Sequence, residues 1–458
     1  MQTIMIEVPI ELKPAIENFV AAANDAAKLA GSGRTFDPKV LERTIQDAAN
    51  GCEVAALKVA LEAGVIDAKH VRIDGKLLFA VGTFEREYMT SAGPIRVMRP
   101  LYREVRNGPT FDILAMKFGM VADAWLPGAA AHMAMLLAMG TSREAERAAE
   151  LLGRVPYSAP SFGRIAHAVG KLYAQHSIEI DQRLIEDYAL PVETTGIVVS
   201  LDRVSIPVEE PASPEQVRKS KAKRPISRNF RMAYCASVSM VDSEGQTLHT
   251  IRYGSMPKIG PVELVEGLAS DVMALLAKKK ELDVLLVLDG APELWHLLDG
   301  AINRESVGVD VHRLIDLFHL LEKLGSAANA IYGESDMVSR WRFQLLNSHD
   351  AALGILRELK SSGRLDEPVH AAITYIENNH DRMDYASARK KGLPVGSGPV
   401  EATCKSLVGI RMKRAGARWK EDTGQHIIQL RALLLSDRWE PAMDITLAPL
   451  QQQARRVA

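Results

Sequence analysis

The chain has 458 residues, of which 47% are hydrophobic and 25% charged; these values suit two to four folded units and exclude a chain that is disordered throughout. Its formal net charge is -1, so attraction to a charged partner has to come from local clusters of charge. The three cysteines, Cys52, Cys235 and Cys404, form no C-x-x-C pair. A disulfide framework and a cysteine zinc site are therefore excluded, and we expect no zinc.

The order of helical, strand and turn patterns divides the chain into segments. In chain order, we predict a helical N-terminal region (1–70), a β-hairpin region (71–120), a helical region (121–190), the first part of a mixed α/β core (191–333), a helical insertion (334–392), the C-terminal helices of the core (393–440) and a tail (441–458).

Targeting and membrane segments are not expected. The N-terminus lacks the basic and then apolar order of a secretory signal. The most apolar helical stretch, about 126–139, is too short to span a bilayer. We therefore expect a cytoplasmic protein without a membrane partner.

Two short helices in the segment 121–190 resemble a DNA-reading pattern. Ser142 can cap a helix that Gly153 ends, and a second helix runs through Arg164. In a helix-turn-helix the second helix enters the major groove, where Arg164 would contact DNA. Such helix pairs are also common in ordinary helical packing, so both interpretations stay open here.

The segment 191–333 contains three predicted strands, a helix and a further strand. The strands are Thr195 to Val208, Phe230 to Asp242, Thr247 to Met256 and, after the helix, Asp283 to Gly290. This order predicts a mixed sheet with helices on its faces.

Two of these strands carry a carboxylate at or near their ends, in GIVVSLD and VLLVLDG. Burying a carboxylate is costly unless something pairs with it, so Asp202 and Asp289 are candidates for a ligand site. A hydrogen-bonded structural role explains either one alone, but two in one sheet favour a functional role.

Glu401 follows Pro399 in GSGPVEATCKS and falls in the first turn of a predicted helix. First-turn glutamates are ordinary in themselves. After Glu401 comes a run of basic residues without an acid. We expect four of these residues to contact DNA: Lys405, Arg411, Arg414 and Arg418.

Carboxylates from a sheet and an adjoining helix suit a pair of Mg²⁺ ions, which prefer oxygen ligands. Two such ions support in-line phosphoryl transfer.

A second basic run, from Gln216 to Arg231, falls between the first two core strands and contains no acid. Clusters of this kind bind phosphates by counterion release, and the DNA-contact candidates in it are Lys219, Lys221, Lys223 and Arg224.

Taken together, SLD at Asp202, VLDG at Asp289, DLFH from Asp316 to His319 and GSGPVEATCKSLVGIRMKRAGARW resemble the DDE insertion-sequence transposases. The similarity is closest to the Kra-type group, with Mutator-like relatives, and it covers about residues 71–439. It implies an α/β fold with a ribonuclease-H-like mixed sheet, interrupted by an all-α insertion between the second Asp and the Glu.

The resemblance also implies roles for residues and partners. Asp202, Asp289 and Glu401 would be catalytic and would hold two Mg²⁺ or Mn²⁺ ions. Asp316 and His319 match the family's acid-or-cysteine, x, x, His motif and would support the site, although they also lie opposite a leucine face, where polar residues are ordinary. Relatives often carry a cysteine zinc ribbon near the N-terminal hairpin, and this chain lacks those cysteines.

The expected activity is metal-dependent cleavage of double-stranded DNA at element ends, followed by strand transfer into target DNA. Joining two ends requires a homodimer or a larger assembly. One alternative is a non-catalytic, transposase-derived DNA-binding protein. Another is a hydrolase that uses paired carboxylates as acid and base, which would have no need of the basic clusters.

Overall fold

The computed structural model describes residues 5, 7–212, 226–333 and 336–457. The chain divides into two compact units, residues 1–176 with 443–458 and residues 177–442. Together they form a mixed α/β protein with one sheet in each unit, which confirms the predicted fold class at that level. Among the described residues, no helix is long and apolar enough to cross a membrane.

The first unit begins with two helices and a four-stranded sheet. The helices are α1 (Lys13–Gly31) and α2 (Pro38–Gly64), within the predicted helical N-terminal region. The sheet consists of β1 (His70–Ile73), β2 (Lys76–Thr90), β3 (Gly93–Arg103) and, beside β1, the strand Ala454–Val457. The predicted tail therefore ends in a strand that pairs antiparallel with β1.

The predicted hairpin is formed by β2 and β3, which pair up to Thr90 and Gly93 and leave Ser91 and Ala92 as the turn. Gly93 has a φ of 139°, a conformation that other residues rarely adopt. Because this position needs glycine, the turn has a fixed register.

Four more helices complete the first unit. They are α3 (Ile113–Lys117), α4 (Pro127–Met139), α5 (Ser142–Leu152) and α6 (Ala159–Gln175). Thr141, and not the expected Ser142, caps α5 through a reciprocal capping box with Glu144. Gly153 ends α5 in a left-handed conformation, as expected.

The second unit is built on a five-stranded sheet with the order β6-β5-β4-β7-β8. Its strands are β4 (Gly196–Pro211), β5 (Ile226–Val241), β6 (Thr247–Ser255), β7 (Asp283–Leu288) and β8 (Val311–Ile315). The first three are antiparallel neighbours, whereas β7 and β8 run parallel to β4. Of these strands, β8 was not predicted from the sequence.

Helices surround this sheet and fill the chain after β8. They are α7 (Ser177–Glu186), α8 (Val262–Lys278), α9 (Pro292–Ala301), α10 (Arg304–Val307), α11 (Leu317–Tyr332), α12 (Met337–Asn347), α13 (Ala351–Ser361), α14 (Glu367–Asn379), α15 (Tyr385–Lys390), α16 (Gly398–Thr403), α17 (Ile410–Met412) and α18 (Glu421–Leu435), with a π-helical segment at Cys404–Gly409 and a 3-10 turn at His380–Arg382. The helix α19 (Trp439–Leu447) begins in this unit and ends in the first unit, which also contains the 3-10 turns Ile10–Leu12 and Ala448–Leu450.

Two hydrophobic clusters hold the second unit together. The larger joins the sheet to α8, α9 and the helices of residues 317–390. The smaller packs Val400, Cys404 and Leu407 against Ile206 of β4 and Cys235 of β5. The helix that carries Glu401 is therefore fixed against the β4–β5 hairpin.

Candidate active site

Three aspartates lie at corresponding places along the three parallel strands, one within β4 and one directly after each of β7 and β8. Val199 of β4 pairs with Leu286 of β7, and three residues further along each strand lie Asp202 and Asp289. Leu288 pairs with Ile315 of β8, and one residue further lie Asp289 and Asp316. Neighbouring strands are about 4.8 Å apart. A continuation of this register would therefore place Asp202 and Asp289, the two candidate catalytic aspartates, side by side.

Asp202 is half-buried and lies within its long strand. Its Oδ1 accepts a hydrogen bond of 2.6 Å from the amide of Arg203. Its Oδ2 accepts one from the thiol of Cys404, with the sulfur 3.4 Å away. The Arg203 guanidinium pairs with Glu293 on α9 at 2.5 Å, so its charge is balanced by another acid.

Asp289 follows β7 directly and is half-buried. Its Oδ1 accepts a hydrogen bond of 3.0 Å from the amide of Ala291, while its carbonyl oxygen accepts one of 2.7 Å from the indole of Trp295. These bonds fix the turn into α9 and leave the Oδ2 side of the carboxylate for another ligand.

Glu401 is exposed in the first turn of α16, as predicted. One turn later, Cys404 begins the π-helical segment and contacts Asp202. A hydrogen bond with Cys235, together with burial and the charge of Asp202, raises the pKa of the Cys404 thiol far above its usual value. The neutral thiol therefore donates to the carboxylate and brings the Glu401 helix beside Asp202.

Asp316 lies in a different environment from the polar helix face expected for it. It precedes α11 as its N-cap and is completely buried. It belongs to a cluster in which one ligand atom each of Asp316, His319 and Glu401 lie within 4.8 Å of one another. This set of oxygen and nitrogen donors is compatible with a divalent metal ion. Glu401 therefore lies close to the third aspartate of the row.

A cavity of about 630 Å³ opens beside Asp289. It lies between α9 and α14, and its walls include Gly290, Trp295 and Tyr375. Burial raises the pKa of Tyr375, and the charges of Asp289 and Asp316 raise it further. The phenol is thus held neutral at the edge of the carboxylate row.

The candidate DNA-contacting residues differ in exposure. Lys405, Arg414 and Arg418 are exposed in the second unit, and Arg164 is exposed on α6 in the first. Arg411 is only 6% exposed, with its guanidinium 5.0 Å from the centre of the Trp419 ring. Lys219, Lys221, Lys223 and Arg224 lie outside the described residues.

Two features of the site had no separate signal in the sequence. Cys404 and Cys235 meet at Asp202 although 202 positions separate Cys404 from Asp202. Ser397 immediately precedes α16, yet its hydroxyl binds Asp316 and caps no amide of α16.

Comparisons with known proteins leave the family open. No protein-family model matches the sequence, and no curated protein matches it. Among solved structures, one match is the Drosophila P element transposase strand transfer complex, with 13% sequence identity and a TM-score of 0.26 over 70% of this chain and 78% of that chain. A TM-score this low does not establish a shared fold.

Proposed function

We propose that this protein is a DDE transposase with a ribonuclease-H-like core, which cleaves element-end DNA and transfers the strand into target DNA. The observation that carries the proposal is the parallel register of β4 and β7, in which Asp202 and Asp289 each lie three residues beyond the last pair, Val199 and Leu286, together with the contact of Cys404 with Asp202. In the proposed site, these elements would bring acids from distant parts of the chain together.

The donor set fits hard divalent cations. Asp202, Asp289 and Glu401 offer carboxylate oxygens, the ligands that Mg²⁺ and Mn²⁺ prefer, and Glu401 is exposed to solvent. These three residues would hold the two ions. When bound, such ions lower the pKa of an attacking water or hydroxyl and stabilise the charge on the leaving oxygen.

The protein side chains would supply position and charge for the DNA. Lys405 lies one turn after Glu401 on the same helical run, exposed to solvent. There it can contact a phosphate next to the scissile bond. The exposed Arg414 and Arg418 would extend this contact along the backbone, whereas the buried Arg411 would act by holding Trp419.

Trp419 in turn extends the edge of the β4–β5 hairpin. Its backbone amide donates to Pro207, and its carbonyl accepts from Glu209. The residues that follow the Glu401 helix are thereby fixed to β4 beyond Asp202. A duplex bound at the carboxylates would contact this hairpin.

The expected working assembly is a homodimer or larger, because two DNA ends must be joined.

The proposal is tested by nicking of supercoiled plasmid in Mg²⁺ or Mn²⁺. Asp202→Asn, Asp289→Asn and Glu401→Gln keep side-chain shape but remove charge, so each is expected to abolish nicking while DNA binding is largely retained. Because the three acids act as one unit, a double variant should be scarcely worse than a single one. A matched control is Glu440→Gln, an exposed first-turn glutamate of α19.

The alternatives predict other outcomes. A non-catalytic DNA-binding protein would bind DNA but show no nicking by the unaltered chain. A hydrolase with an acid–base pair would act without a divalent cation. Nicking that survives all three substitutions would contradict the proposal.

A further inference from the structure

Asp316 joins the starts of two helices through four hydrogen bonds. Its Oδ1 accepts from the amides of Phe318 at 2.6 Å and His319 at 3.1 Å, in the first turn of α11. Its Oδ2 accepts from the amide and the hydroxyl of Ser397, both at 2.5 Å. Ser397 immediately precedes α16, which carries Glu401.

A carboxylate offers about four lone-pair directions, and four donors already bind Asp316. Its side chain is completely buried. Metal coordination would require one of these donors to be displaced and left unpaired in the interior, which is costly. Proximity to His319 and Glu401 alone therefore does not make Asp316 a metal ligand.

The bonds continue from Ser397 to Glu401. The carbonyl oxygen of Ser397 accepts from the amide of Glu401 at 3.2 Å. A second tie runs from the amide of Leu317 to the carbonyl of Val395 at 3.0 Å. A Cβ added to Gly396 would lie 2.8 Å from the Phe318 ring, so the two segments also pack without spare room.

From this geometry we infer that Asp316 is a positioning residue: it fixes Ser397 against α11 and thereby sets the place of Glu401 at the carboxylate row, without binding a metal ion itself. The inference deepens the proposed function and rests on it for the role of Glu401. It assigns the fourth acid of the site to the support of the helix and leaves the metal to the other three.

The first test is amide hydrogen exchange of the full-length protein without metal. Asp316→Asn and Ser397→Ala each remove part of the same tie, so both should speed exchange of the peptide spanning residues 398–409 by about tenfold. The double variant should exchange no faster than Asp316→Asn alone. Ser406→Ala, on the same helical run, is the matched control. This substitution leaves the bonds of Asp316 in place and should not produce the tenfold increase in exchange.

The second test is Mn²⁺ binding, followed by the electron paramagnetic resonance signal of the free ion. Both substitutions are expected to weaken Mn²⁺ binding by about 10- to 100-fold, as for outer partners of metal ligands, with the number of bound ions unchanged. Glu401→Gln should reduce that number. If Asp316→Asn does so while Ser397→Ala does not, Asp316 is a ligand and the inference is wrong.

The two tests separate this inference from the proposed function. Should Asp316→Asn fail to fold, Ser397→Ala still tests the tie, and unchanged exchange in that variant contradicts the inference. If the unaltered protein binds no Mn²⁺ but the exchange coupling is present, the metal-dependent function fails and the structural tie stands.

Discussion

Cys404 illustrates how a single buried group can connect distant parts of the site. The thiolate is the reactive form of cysteine, and the raised pKa of Cys404 keeps the thiol protonated beside Asp202. We expect N-ethylmaleimide at pH 8 to modify Cys52, which is partly exposed, well before Cys404 or Cys235, which are buried. Peptide mass mapping measures the order in which the three cysteines are modified. Modification of Cys404 as fast as Cys52 would contradict the buried contact.

His249 gives the second unit a pH dependence of known sign. Burial lowers its pKa, and Arg438 and Arg252 act in the same direction, whereas Asp437 and a backbone contact of Ser436 oppose them. Its Nδ1 lies 2.9 Å from the hydroxyl of Tyr188. Because the unfolded chain takes up the proton more readily, the contribution to stability is fully present above about pH 6.5 and is lost as the pH falls from that value through the lower pKa of the folded state.

The test compares the unaltered protein with His249→Asn by thermal unfolding at pH 7.5 and 5.5. The stability difference between them should shrink at the lower pH, because only the unaltered protein loses the contribution of the neutral imidazole. His370→Asn, at an exposed position, serves as the control. A difference that grows towards pH 5.5 would show that the sign is wrong.

For single residues, the sequence predicts a chemical role well when that role depends on neighbouring residues in the chain. Asp202 and Asp289 could be selected because each interrupts an apolar strand. The contact of Cys404 with Asp202 could not be predicted, because it depends on how a late helix packs on an early strand. Asp316 was misplaced for a related reason: β8 was not recognised, so the aspartate seemed to lie on a helix face and not at the end of a strand.

Among the elements, the β2–β3 hairpin is joined to α3 by a buried ion pair. The Arg99 Nε lies 3.0 Å from Oδ2 of Asp112, and both side chains are 5% exposed. Asp112 also caps α3 and accepts a hydrogen bond of 2.7 Å from Tyr88. Removing one partner of such a pair leaves the other charge buried and unpaired.

We therefore expect Asp112→Ala to destabilise the first unit by about 3–5 kcal/mol. The same hairpin provides the control: Glu87 and Arg96 form an exposed pair, and Glu87→Ala should cost about 1 kcal/mol or less. Urea unfolding measures both. Equal effects of the two substitutions would show that burial of the Asp112 pair does not decide its contribution.

The elements differ in how far their sequences determine them. The helix α5 was predicted close to its observed bounds because capping and glycine signals are local. The strand β8 has only five residues, two of them buried, so its pattern is too short to distinguish it from a helix. The pairing of Ala454–Val457 with β1 depends on residues almost 400 positions away.

For the whole molecule, the two units carry different parts of the proposed DNA contact. Neutralising Lys219, Lys221, Lys223 and Arg224 together should weaken binding to all DNA sequences similarly and flatten its salt dependence. Arg164→Ala, in the first unit, should instead reduce the preference for element ends with little change in the salt slope. Binding titrations over a range of salt concentrations measure both effects. A variant at these four positions with the unaltered salt slope would exclude a phosphate contact by them.

If DNA binds at the carboxylates as proposed, the length of β4 would set a spacing along it. The strand continues for nine residues from Asp202 to its end at Pro211, which corresponds to about 30 Å of extended chain. One helical turn of B-DNA measures about 34 Å. A duplex that runs along the hairpin from the carboxylates would therefore present the same side of its backbone again near the end of β4. The β4–β5 hairpin would thus fix the distance along the DNA between the cut and a second contact. A protected patch in hydroxyl-radical footprinting is expected about one turn from the cut.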